Sequence, residues 1–134
     1  MPLLTDLIGL GMPPEHASVL SGFTVSSAPS LTSSGTLTAA GTNLATALAL
    51  TSFLNLVGTT GVGTGVKLPD APIGTIVIVQ NNGANALNVF PHDATGTLNG
   101  GTAGAAVTCA AAAGNICIRR SATDWMVYVV AKEA

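Results

Sequence analysis

The chain has 134 residues, enough for one compact domain with a short appended arm. Only 7 % of its residues are charged, against roughly 25 % in typical domains, so the interspersed charge that keeps a soluble monomer dispersed is missing. The formal net charge of −2 leaves no basic footprint for nucleic acid, and Arg119-Arg120 is a pair rather than a patch.

Residues 1–22 read as an N-terminal docking arm. Pro13-Pro14, the following Glu15 and the later Gly22 predict a short helix, because proline and an acidic side chain suit a helix start and glycine suits its end. A helix this short is marginal alone in water. The apolar cluster before it (Leu3, Leu4, Leu7, Ile8 and Leu10) is therefore expected to dock on the chain's own domain or on a neighbouring subunit. The arm lacks the basic start of a signal peptide, and Asp6, Gly9, Gly11 and prolines interrupt it, which points to an intracellular, reducing compartment.

Residues 23–35 are rich in Ser and Thr, contain Ala28-Pro29 and read as an extended linker. From residue 36 to 134 the hydrophobic period is mostly two, which predicts strands. Residues 42–56 fit either period in part; alternation of Leu with Ala or Thr favours a strand. The apolar run 44–57 contains Thr46, Thr51, Ser52 and Asn55 and is shorter than the roughly 20 apolar residues of a membrane span. Gly58 to Gly65 form a loop, and Pro69, Asp70 and Pro72 a turn.

Thr75 to Gln80 is a dense β-branched strand, followed by the turn signal Asn81-Asn82-Gly83-Ala84-Asn85 and a second strand over residues 86–91, together a predicted hairpin. Residues 97–101 read as a turn. A second hairpin is expected to turn near Gly114-Asn115, with Cys109 and Cys117 either facing each other across it or lying as two small buried thiols. Residues 124–130 form the closing strand. Trp125, Val127 and Val129 share one face and Met126, Tyr128 and Val130 the other, so the strand is expected to be covered on both sides. Short strands between Gly, Pro and Asn turns predict an all-β fold, an antiparallel β-sandwich or barrel with a short N-terminal helical arm and no strict internal repeat.

Catalytic constellations are not legible. His16 and His92 are isolated and suit surface or turn positions better than a metal site. Asp93 and Asp124 suit strand-flanking turns, and nothing in the sequence brings them together. No G-x-S-x-G elbow occurs. The Gly61-Val62-Gly63-Thr64-Gly65 run fails as a phosphate loop, because Val66 precedes Lys67 and Leu68 follows it. The aromatic residues Phe23, Phe53, Phe90, Trp125 and Tyr128 fit core packing better than a stacking platform. The expectation is a non-enzymatic structural module with no catalytic, cofactor-binding or metal residues.

Several short motifs carry a resemblance. Gly65-Val66-Lys67-Leu68-Pro69, Ile73-Gly74, Val79-Gln80-Asn81, Leu87-Asn88-Val89-Phe90-Pro91, Leu98-Asn99-Gly100 and Asp124-Trp125 resemble a pattern in virion structural proteins of tailed bacteriophages. These are small capsid decoration proteins and related head- and tail-fibre β-modules. The start Leu7-Ile8-Gly9-Leu10-Gly11-Met12-Pro13 is similar to the starts of such proteins, so the likeness spans roughly residues 1–20 and 65–130. It implies a homotrimer on the virion surface, assembled in the host cytoplasm, that binds the major capsid protein or another virion protein and stabilises the mature head, without nucleic acid, membrane or cofactor. A fibre module and a carbohydrate-binding module are the competing readings.

Overall fold

The computed structural model describes residues 33–131, and among these there are ten strands and no helix. The predicted arm with its helix, and residues 23–32 of the expected linker, lie outside the described residues. The strands are β1 (Ser33–Thr38), β2 (Leu48–Ala49), β3 (Leu54–Thr59), β4 (Gly65–Lys67), β5 (Ile76–Asn81), β6 (Leu87–Phe90), β7 (Thr97–Leu98), β8 (Val107–Cys109), β9 (Gly114–Arg119) and β10 (Asp124–Val130). The ambiguous stretch 42–56 is thus divided between β2 and the start of β3, with a turn at 43–47 in which Ala47 N–H donates to Asn43 C=O at 2.9 Å.

Two sheets result, one in the order β1-β3-β5-β9-β10-β7 and one in the order β2-β4-β6-β8. From β1 to β9 the chain crosses to the other sheet at every connection. β3 lands parallel beside β1, β4 beside β2, β5 beside β3 and β6 beside β4. These steps form a solenoid-like coil with a turn of roughly 20 residues, at the short end of solenoid repeats. The repeat is structural only, which is why no sequence repeat announced it. β8 and β9 then run antiparallel to β6 and β5, and β10 folds back on β9 as a hairpin.

All-β is therefore correct, but the expected antiparallel pairing is not, since five of the eight strand pairings are parallel. Both predicted hairpins are replaced by crossings between sheets. The physical reason is visible at Asn81, which ends β5 fully buried. Its side-chain N–H groups point to the carbonyls of Asn85, Cys109 and Ala110 at 2.9–3.1 Å, and its Oδ1 accepts from Gly83 N–H at 3.0 Å. Asn85 in turn exchanges hydrogen bonds with Thr60 of the preceding turn of the coil. These bonds satisfy an arch leading to the other sheet, so the Asn-Gly signal does not close β5 onto β6. Likewise β8 and β9 lie in different sheets, so Cys109 and Cys117 do not face each other across a hairpin; both are free and buried.

The inward faces of both sheets contribute to one hydrophobic cluster. Val57, Val77, Val79, Cys117, Trp125 and Val127 come from the larger sheet, and Val66, Leu87, Val89 and Cys109 from the smaller. In the smaller sheet Leu48, Val66, Val89 and Val107 stack in register across all four strands. Such aliphatic cross-strand pairs are what stabilise a sheet face. Gly65 has no room for a side chain, because a Cβ there would sit 2.7 Å from the Phe90 ring and 2.9 Å from Asn88 C=O.

Candidate functional site

The interaction residues expected in the arm, Leu3, Leu4, Leu7, Ile8 and Leu10, lie outside the described residues, as do His16 and Phe23. The Gly61–Gly65 run is the connection from β3 to β4, with Thr64 Oγ1 donating to Gly61 C=O at 2.8 Å. Strand β4, not a helix, follows it. Phe90 and Trp125 are buried, Phe53 is half-buried, and Tyr128 is 52 % exposed.

The polar residues that do converge gather at one end of the core. Alternation along β9 places Arg119 on the same inward face as Cys117, and register sets it opposite Trp125. Its guanidinium carbon lies 5.9 Å from the indole centroid, within cation–π range. The guanidinium donates to Asp70 Oδ1 and to the carbonyls of Ala71, Ser121 and Ala122. It thereby ties the loop before β5 to the β9–β10 turn. Only the planar fork of arginine reaches this many acceptors at once.

His92 sits beside this group with its side chain 4 % exposed. Its Nδ1 is 3.2 Å from Trp125 Nε1, which can only donate, so Nδ1 must be the unprotonated acceptor. Its Nε2 is 3.2 Å from Arg119 Nη2 and 3.5 Å from the Asp93 carboxylate. The cluster therefore works as a structural clamp on Trp125.

Asp124 is the second organised acid. It is buried and accepts from Thr97 Oγ1, Gly100 N–H at 2.9 Å and Arg120 Nε. Burial works to raise its pKa, but these three donors outweigh it and hold the carboxyl below its ordinary range. Asp93 is also lowered, first by the Thr95 hydroxyl, then by the N–H groups of Thr95 and Gly96 and by the nearby His92. Asp93 is thus bound within its own turn, whereas Asp124 opens β10 and is held by a different set of donors.

The remaining feature is a surface. On the outward side of the larger sheet, Ile78, Ile116 and Tyr128 stand in one register row across β5, β9 and β10, and Ile76, Ile118 and Met126 in the next. Ile76 is 40 %, Tyr128 52 % and Val130 48 % exposed, and the others are half-buried. Tyr128 Oη lies 3.7 Å from Met126 Sδ, so even its hydroxyl turns back onto the face. Sequence reasoning flagged β10 as apolar on both sides but not β5 and β9. The signal was there, since both strands carry isoleucine at outward positions between inward valine or cysteine. It missed Arg119 too, although an arginine in register with inward residues of a strand is a usable sign of a buried clamp.

No family model, no curated protein and no solved structure matches the chain.

Proposed function

We propose that the chain is a virion structural protein of a tailed bacteriophage, a capsid decoration subunit that binds the mature head lattice, and that it is not an enzyme. The observation that carries this reading is the outward apolar face of β5, β9 and β10 on a chain with so few charges. Contiguous exposed apolar surface on a soluble protein marks a surface that something covers. A sandwich of two sheets around one core, assembled as a homotrimer and holding the capsid through Leu3, Leu4, Leu7, Ile8 and Leu10, completes the proposal. A subunit that binds only the mature shell stabilises it by mass action, and repeated attachment points add avidity.

The parallel, coil-like stacking favours a second reading, a head- or tail-fibre module, because such turns stack into elongated structures. A carbohydrate-binding module is less well supported, because Trp125 is fully buried and cannot offer a stacking face. Quantitative mass spectrometry of purified virions separates the first two. Hundreds of copies per particle support decoration, tens or fewer support a fibre, and absence from virions overturns both. Cosedimentation with mature shells tests the arm. Deleting residues 1–22 is expected to abolish binding, and full affinity without them refutes the arm's role.

A further inference from the structure

We propose that Asn82 is a site of spontaneous deamidation in the folded protein, and that its conversion loosens the arch joining successive turns of the coil. The sequence holds Asn followed by Gly at two places, Asn82-Gly83 and Asn99-Gly100. Glycine has no side chain to shield its own nitrogen, so that nitrogen can reach back to the amide carbon of the preceding asparagine. The Gly83 nitrogen gives its proton to water and bonds to Asn82 Cγ, and ammonia leaves as the old C–N bond breaks. Water then opens the cyclic imide at either carbonyl, to aspartate or isoaspartate. The sum is one water consumed and one ammonia released, with no oxidant or reductant.

The two steps are alike in sequence and differ in the fold. The Asn99 side chain is held at both ends, with Nδ2 donating to Val127 C=O at 3.2 Å and Oδ1 accepting from Val127 N–H at 2.7 Å. Gly100 N–H donates to the Asp124 carboxylate at 2.9 Å. Positive φ at both residues and the bond from Gly101 N–H to Leu98 C=O fix them in a tight turn. Attack there would open three hydrogen bonds and remove a proton beside a carboxylate. Asn82 is exposed, and its side chain makes no hydrogen bond among the described residues. The bond that guards its step runs from Gly83 N–H to Asn81 Oδ1 at 3.0 Å. Each ordinary hydrogen bond that must open slows the attack about fivefold, so relative to the unfolded chain Asn82 is slowed about fivefold and Asn99 about a hundredfold.

The position gives the conversion its effect. Gly83 packs so closely on the preceding turn of the coil that a Cβ there would sit 2.2 Å from Thr60 Oγ1, and Thr60 exchanges hydrogen bonds with Asn85. Isoaspartate inserts an extra carbon into the main chain between residues 82 and 83 and so displaces that contact. Either product also adds a negative charge to a chain whose formal net charge is −2.

Ageing the full chain at mildly alkaline pH, followed by peptide mapping in the mass spectrometer, tests this. In strong urea both steps are expected to convert at similar rates, because only the local sequence remains. In buffer Asn82 should convert about fivefold more slowly than in urea, while Asn99 stays an amide over the same period. Labelling by an isoaspartate-specific methyltransferase should then fall on residue 82 and not on residue 99. The converted fraction is expected to melt below the fresh protein. An Asn82→Ser chain, which has no side-chain amide to lose at that step, is expected to age without a change in melting temperature. Equal rates at the two steps in the folded protein overturn the proposal, as does an intact Asn82 once the urea sample has converted fully. So does a converted fraction that melts with the fresh protein, or an Asn82→Ser chain that loses stability with age as the wild type does.

Discussion

Trp125 carries more of the core than any other single side chain, and His92 decides whether it is satisfied there. The indole is fully buried and its only donor ends on His92 Nδ1. Replacing His92 with Ala leaves that N–H without an acceptor in a region closed to water, a cost of about 1–3 kcal/mol. Trp125→Ala is expected to cost about 3–5 kcal/mol, because a large cavity opens under Arg119. Urea denaturation of both variants checks the order. A His92→Ala protein as stable as wild type would mean that the bond contributes nothing. Asp124 governs acid behaviour at the same scale. Its folded-state pKa is depressed, so its contribution is fully present above the unfolded carboxylate range near 3.9 and is lost as pH falls through the folded value. Asp93 has the same sign. Melting temperature should therefore hold steady at mildly acidic pH and drop below about pH 4. Asp124→Asn should lower stability at neutral pH and flatten that drop.

Among the elements, β9 holds a conflict between local sequence and its position in the sheet. Asn115 points inward between Val79 of β5 and Val129 of β10, is fully buried, and has neither end of its amide hydrogen-bonded among the described residues. A buried polar group left unpaired costs about 1–3 kcal/mol, and valine favours a pleated sheet. Asn115→Val is expected to raise the melting temperature, and a lower one would show that the amide has a role which the packing does not reveal. The strands themselves were largely legible. β5, β6 and β10 fall where alternation and β-branched runs put them, because a half-buried strand writes its period directly into the sequence, whereas β9 already begins at Gly114-Asn115, where a turn was expected. Their partners were not legible. Asn-Gly after β5 signals a hairpin locally, and only the distant carbonyls of Cys109 and Ala110, which Asn81 binds, turn it into an arch. The clamp on Trp125 was hidden for the same reason, since Asp70, His92 and Arg119 meet only once the coil is closed.

At the scale of the molecule, the coil closes its two sheets on a core in which the two thiols are natural reporters. Cys109 lies on β8 and Cys117 on β9, one in each sheet, and both are fully buried in the same cluster. Burial pushes the Cys117 thiol up to about 12, with the neighbouring Cys109 adding to the shift, and burial raises Cys109 as well. Thiolate is the reactive form, so neither sulfur reacts at neutral pH while the sheets stay together. If the coil opens as one cooperative unit, both cysteines gain reactivity in the same event, and their labelling rates follow global stability. If the antiparallel strands at its end open separately, Cys109 and Cys117 are labelled before the parallel turns unfold. Native-state labelling with an aromatic disulfide, read by mass spectrometry across low urea concentrations, distinguishes these. Equal, slow labelling of both sites that accelerates with urea at the slope of global unfolding is the expected result, because the inward apolar residues of β5, β6, β8 and β9 belong to one cluster. Rapid labelling in the absence of urea would contradict the burial on which this expectation stands.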